Sequence, residues 1–489
     1  MNSQTSPDNS SARKLYHREL FSNQVWQGVN FLSKAGFLIL LTPLMVSRWG
    51  AEGYGIFALA SSLLVSMALL DGGVRSLTRL RLAEALKSDD PLAFRQAYWS
   101  GMTTFSAVAI LAFLLIAWLN AMGWIESVLR LPAGGGLVMV VTVGLTGLYM
   151  LTTLALEPIA ARGNLSMVKA VNTMGALASL PICGGAIWMG ASILPTVVLF
   201  SLCSIIPNFF PLFRENLSAW RPPPGFRVFD FAVVFSTLRD GIWFYLTTVA
   251  LIIKGHALTF VVSAVAGPET AGVFYILLRV TEIIGNVGAT ASDTSLASLA
   301  QATTPETRAE AFRQSWRYTG LFCLHGSLLL AILGEPLLRL WMAGTQQIPA
   351  GVGPAMALFG FTAAFSRVVV NASMGLHAVH FAAKANLAEA GLDVAGALVG
   401  FHLAGLPGVF VGGSLGILCL IFPALHVANL CGQQARATYW EPWKSLFPGL
   451  LICAVLQGGA LWIANYPVYL VVAGISGIIA LWQLKQIHS

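Results

Sequence analysis

Fourteen apolar segments follow one another along this chain: 25–46, 54–71, 98–119, 135–156, 168–189, 194–213, 241–264, 272–292, 318–334, 351–374, 381–403, 408–429, 446–464 and 467–484. Each is about the 20 residues an α-helix needs to cross the ~30 Å hydrocarbon core of a bilayer. In that core every backbone N–H and C=O must be bonded within the protein, so only helices and closed barrels span it. Barrel strands are about half as long and alternate in polarity. The expected fold is therefore an all-α integral membrane protein with about 14 transmembrane helices. Charged residues make up only 10% of the 489 residues, against about 25% in soluble domains. Little chain remains for a soluble catalytic domain.

The formal charge of +7 suggests a nucleic-acid or acidic partner until the cations are placed. With a cytoplasmic N-terminus, 21 of the 28 Lys and Arg fall on the cytoplasmic side and three, Arg48, Arg130 and Arg339, outside. This is the positive-inside pattern. It sets the orientation, with both termini cytoplasmic, and leaves no nucleic-acid partner to expect. The first apolar stretch is too long for a signal-peptide core and lacks a small-residue cleavage site, so it is expected to remain as a span. The six cysteines are scattered without a CxxC pair and read as small core residues, neither disulfides nor metal ligands.

An internal repeat divides the spans. Gly50, Glu52, Gly55 and Phe57 recur as Gly267, Glu269, Gly272 and Phe274, an offset of 217. Leu82, Ala83 and Ala85 recur as Leu299, Ala300 and Ala302 at the same offset, and Ala93-Phe94-Arg95-Gln96 as Ala311-Phe312-Arg313-Gln314 at an offset of 218. The offset equals six spans. The expectation is two parallel six-helix lobes, 1–221 and 222–436, around a central cavity, followed by a helix pair over 437–489. The link Arg221-Pro222-Pro223-Pro224-Gly225 joins the halves.

Two stretches also carry a resemblance. Trp49-Gly50-Ala51-Glu52-Gly53-Tyr54-Gly55-Ile56-Phe57, with a span closing in Asp71-Gly72-Gly73, resembles the start of bacterial polysaccharide exporters. Lys384-Ala385-Asn386-Leu387-Ala388-Glu389-Ala390-Gly391-Leu392-Asp393, followed by Gly405-Leu406-Pro407-Gly408, is similar to the same group, with Asp393 where an Asn is usual. These are the Wzx-type lipid-linked oligosaccharide flippases of the multidrug/oligosaccharidyl-lipid/polysaccharide (MOP) flippase superfamily. The resemblance implies a V-shaped pair of lobes and a lateral gap between the first and eighth spans. Sibling branches export drugs or flip the peptidoglycan precursor.

Four cations lie within spans and away from their ends: Lys34, Lys254, Arg279 and Arg367. Each costs about 2.5–3.5 kcal/mol at a helix centre and so needs a partner or water. Asn23, Gln27, Asn30 and Lys34 share one helix face, and Tyr275, Arg279, Glu282 and Asn286 repeat their spacing. Gln27, Asn30, Lys34, Lys254, Arg279, Asn286 and Arg367 are the candidate substrate contacts. Helix–helix packing, snorkelling of Lys254 and a simple Arg279–Glu282 pair are the competing readings. His256 sits about 200° around an α-helix from Lys254, which favours a bland role for it.

Glu282, Glu389 and Asp393 are the candidate ion-coupling groups. Glu389 and Asp393 are one turn apart, close enough to hold a proton between them. Neutralisation by Lys384 is the structural alternative. The cargo these residues suit is a polyprenyl-pyrophosphate-linked oligosaccharide: an anion that cannot cross hydrocarbon unaided, gripped by Arg and Lys. The expected protein is a flippase in the bacterial inner membrane. Membrane lipid surrounds it, proton or sodium is the coupling ion if one is used, and polysaccharide polymerase or export proteins are expected neighbours. A cation-coupled multidrug antiporter is the alternative. No Walker loop or HExxH motif is present, so a transporter rather than an enzyme is expected, without cofactor.

Overall fold

The two repeats break at the same glycine. In the computed structural model, α1 (Asn9–Ser66) is interrupted at Gly50, with φ 72° and ψ 178°. The helix Leu258–Gln301 is interrupted at Gly267, with φ 86° and ψ 170°. These are the two glycines related by the offset of 217. Positive φ with extended ψ is a region essentially confined to glycine. A Cβ at either site meets nothing within 4 Å, so the backbone alone demands the residue. Gly50→Ala and Gly267→Ala are each expected to cost about 1–3 kcal/mol. Thermal unfolding in detergent checks this, with Gly458→Ala, a site equally open and of ordinary φ, as the unperturbed control.

The structure describes residues 9–66, 74–162, 165–214, 242–243, 245–301, 304–342, 348–376, 378–432, 439–463 and 466–488. Asp71 and the link 221–225 lie outside them. The described chain is helical throughout. It forms two compact units, Met1–Ile242 and Trp243–Ser489.

In the first unit, α2 (Val74–Lys87), α3 (Pro91–Ala121), α4 (Trp124–Leu129), α5 (Gly135–Ala155), α6 (Glu157–Ala161), α7 (Leu165–Trp188) and α8 (Ile193–Arg214) follow α1. The long helices α1, α7, α8, α5 and α3 pack side by side. Thr173 Oγ1 donates to the Trp26 carbonyl across the α1–α7 seam. The polar helix α2 is pinned to α6 by Glu157, which is fully buried and accepts hydrogen bonds from Arg75 and Arg79. Two of the cations that report orientation thus also fasten a helix.

In the second unit a helical stretch over 245–252 enters a π-helical turn, Ile253–Ala257. Then come α9 (Leu258–Gln301), α10 (Pro305–Trp341), α11 (Val352–Gly375), α12 (Val379–Gly412), a 3-10 turn Leu415–Leu420, and α13 (Ile421–Leu430). The pair α14 (Phe447–Ile463) and α15 (Tyr466–His488) closes the chain. The core gathers α9, α11 and α12 around Phe274, Phe359 and Phe410, with ring centroids 5.2–5.6 Å apart. Helices α14 and α15 pack on α10. There Trp316 stacks on Trp443 at 4.6 Å, and Gln483 bridges His325 Nε2 and the Leu446 carbonyl.

Helix starts also repeat. Asp90 caps α3 and Thr304 caps α10, each with proline at the first turn. Both α5 and α11 follow a left-handed glycine, Gly134 and Gly351, again 217 apart.

Among the described residues, eight helical stretches are long and apolar enough to cross a membrane. Two of them, Tyr245–Gly285 and Val379–Leu430, have 41 and 52 residues. At about 1.5 Å per residue each is long enough for two passes. With the broken α1 and the shorter apolar helices of the last pair, this accommodates the fourteen expected spans. The chain is an all-α, multi-pass membrane protein.

Candidate functional site

The second unit buries a polar cluster in an apolar helix layer. Lys254 and His256 sit in the π-helical turn Ile253–Ala257. Both are buried, at 7% exposure each, and each approaches a different carboxylate, Glu389 and Glu282 respectively.

Lys254 Nζ lies 2.5 Å from Glu389 Oε1. It donates to Ser366 Oγ at 2.6 Å and to Asn386 Oδ1 at 3.4 Å. Ser366 passes the bond on, donating to Glu389 Oε2 at 2.9 Å. Asn386 Nδ2 donates to the Thr247 carbonyl at 3.1 Å. Asn386, Glu389 and Asp393 share one face of α12, as their spacing requires. Asp393 Oδ1 accepts the Gly416 N–H at 2.9 Å and so caps the 3-10 turn after α12. All these acceptors are buried.

A second group lies on α9. Arg279 Nη1 donates to Glu282 Oε2 at 2.7 Å, and Nη2 to the Tyr275 hydroxyl at 2.5 Å. His256 Nε2 stands 3.9 Å from Glu282 Oε1. His256 Nδ1 is buried and has no hydrogen-bond partner among the described residues.

Between the two groups is a cavity of about 50 Å³ lined by Lys254, Glu282, Arg367, Glu389 and Asp393, with Phe359, Thr362 and Ser414. A water needs about 10–15 Å³ of such volume. The cavity has room for a few waters or an ion, and a sugar chain does not fit it as it stands.

Of the sequence candidates, Lys254, Arg279, Glu282, Arg367, Glu389 and Asp393 come together here. Gln27, Asn30 and Lys34 lie on α1 and Asn286 on α9, with side chains outside the described set. Lys384 is exposed and sits 5.7 Å over the Trp243 ring, so the cation facing Glu389 is Lys254. Sequence reasoning missed Ser366. Its signal was a hydroxyl beside Arg367 inside a span. His256, set aside on α-helical geometry, stands beside Glu282. No group of three or more His, Cys, Asp or Glu suited to a metal ion occurs among the described residues.

No family model matches this sequence, and no curated protein matches it. Solved structures do. Lipid II flippase MurJ, in an inward closed conformation, aligns with a TM-score of 0.72 over 95% of this chain and 98% of its own, at 11% identity. An inward-facing multidrug resistance MATE family transporter of the MOP superfamily aligns at 0.66 over 81% and 95%, at 13% identity. The MATE multidrug transporter DinF-BH aligns at 0.62 over 90% and 100%, at 15% identity. The fold is shared with all three. At these identities the likeness carries the architecture and not the cargo.

Proposed function

We propose that this chain is a flippase that carries a polyprenyl-pyrophosphate-linked oligosaccharide from the inner to the outer leaflet of a bacterial inner membrane, for surface polysaccharide synthesis. The observation that carries this reading is Arg279 with Arg367. Arg367 lines the cavity and Arg279 donates to Glu282, which lines it too; both arginines lie in helical stretches long and apolar enough to cross a membrane. Guanidinium suits the bidentate grip on phosphate oxygens that a desolvated pyrophosphate requires. An inside-negative potential of 100 mV adds about 2.3 kcal/mol per negative charge moved outward. Arg279 is held by Glu282, so protonation of Glu282 releases the guanidinium to the anion. That exchange couples a proton to cargo binding.

Loss of one charge-assisted bond removes about 1.5–3 kcal/mol, or roughly tenfold or more in affinity. Arg279→Ala is therefore expected to cut surface polysaccharide about tenfold at unchanged protein level. Lipid-linked sugars should accumulate on the cytoplasmic leaflet, measured by sidedness-resolved extraction. Lys34→Ala is expected to act the same way, and normal polysaccharide in both variants overturns the assignment.

A second reading has its own support. Glu282, Glu389 and Asp393 line the same cavity, as a cation-coupled multidrug antiporter requires. A deletion strain with drug hypersensitivity and normal glycans favours it.

A further inference from the structure

The buried cluster around Lys254 has the form of a cation site with its cation attached to the chain. Ser366 Oγ, Asn386 Oδ1 and Glu389 Oε1 converge on one point from α11 and α12, and Lys254 Nζ stands at that point. Each oxygen is aimed there by a second bond. Ser366 spends its proton on Glu389 Oε2, which leaves its lone pairs facing the ammonium. Asn386 donates Nδ2 to the Thr247 carbonyl, which fixes Oδ1 inward. Residue exposure is 0% for Ser366 and Asn386 and 2% for Glu389, so the three oxygens are shielded from bulk solvent.

A hydroxyl, an amide carbonyl and a carboxylate are hard oxygen ligands. One facing carboxylate balances one positive charge. The chemistry therefore points to a monovalent alkali cation and not to a divalent one. An ammonium on a four-carbon stem anchored in the π-turn is always present at the site.

We infer that Lys254 is a tethered counter-ion filling a monovalent-cation site made by Ser366, Asn386 and Glu389, and that removing its ammonium lets the second unit bind a free alkali cation. Lys254 then acts on the protein's own carboxylate and not on cargo. The inference does not depend on the cargo reading above, and its test needs no cargo.

The experiment uses the purified full chain in detergent, with thermal unfolding in NaCl, KCl or LiCl against choline chloride, and binding of sodium-22. The wild-type protein should unfold at one temperature in all four salts and bind no sodium-22. Lys254→Ala should unfold lower in choline chloride and recover by roughly 5 °C in at least one alkali salt, with radioactive sodium binding if that salt is NaCl. Adding Glu389→Gln should abolish the recovery. A wild-type protein stabilised by sodium in a Glu389-dependent way overturns the inference. So does a folded Lys254→Ala protein indifferent to all three alkali ions. Lys254→Met, closer in volume, replaces the alanine variant if that fails to fold. If neither folds, the wild-type measurement decides: indifference to salt supports the inference, and a Glu389-dependent sodium shift sinks it.

Discussion

Glu389→Ala is expected to lower the unfolding temperature of the solubilised protein by roughly 10 °C, the equivalent of about 3–5 kcal/mol. The reason is asymmetric. An ion pair buried this deeply, with Lys254 at 9% and Glu389 at 2% side-chain exposure, gains little net stability over an apolar pair, because desolvation consumes most of the Coulomb attraction. Removing one partner is different. Alanine at 389 leaves an ammonium among Ser366 and Asn386 with no carboxylate at bonding distance, and both Glu389 hydrogen bonds are lost. Removing both charges in Lys254→Met/Glu389→Leu should therefore recover most of the loss. Asp393→Asn is the control, since the amide oxygen keeps the acceptor for the Gly416 N–H. A Glu389→Ala protein that melts with the wild type would show that the ammonium has another refuge.

Gly408→Leu is expected to prevent accumulation of folded protein. Helix α12 is broken at Ala404 and Gly405, and its two arms fold back on each other. At the crossing, glycine backbone meets glycine backbone. A Cβ at Gly408 collides with the Gly400 carbonyl, one at Gly400 with the Gly408 carbonyl, and Gly396 and Gly412 repeat the arrangement. The obstacle is main chain, which has no rotamer to move aside, so about 3 kcal/mol, the upper end of overpacking, is a lower bound here. Small residues at such crossings are how membrane helices approach closely without a hydrophobic driving force. Gly391→Ala, on the same helix with open space at its Cβ, should be tolerated. Fluorescence-detected size exclusion of tagged variants distinguishes a monodisperse peak from aggregate. A monodisperse Gly408→Leu peak overturns the prediction.

Comparison of Gly50 and Gly267 shows how far the sequence reaches. Their alignment rests on a handful of identities at one offset, yet both adopt the same glycine-only backbone. A turn that needs one particular φ/ψ leaves a local chemical mark. The α12 crossing is less visible. Gly396, Gly400, Gly408 and Gly412 could be read as packing or bending residues, and which glycines touch depends on where the helix breaks. The polar groups fall in between. The Arg279–Glu282 pair follows from i,i+3 spacing on one helix. The Lys254–Glu389 pair joins groups more than a hundred residues apart, and the sequence offered Lys384 as a nearer partner. His256 was set aside because it stands across the helix from Lys254, and that spacing does not reveal the Glu282 carboxylate it meets there.

Sequence by itself determined what the solvent dictates. Apolar runs of membrane-spanning length force helices, because hydrocarbon satisfies no backbone group. Cation placement sets the expected sidedness, and an offset of 217 sets the repeat. Tertiary structure alone decided which buried charges meet. Spacing along one helix places residues on a face but does not fix which neighbouring helix that face meets. In a low-dielectric interior that choice separates a cation free for cargo from one neutralised by the protein's own carboxylate. The sequence marked Lys254 as a candidate without a partner; packing against α11 and α12 sets its ammonium on Glu389.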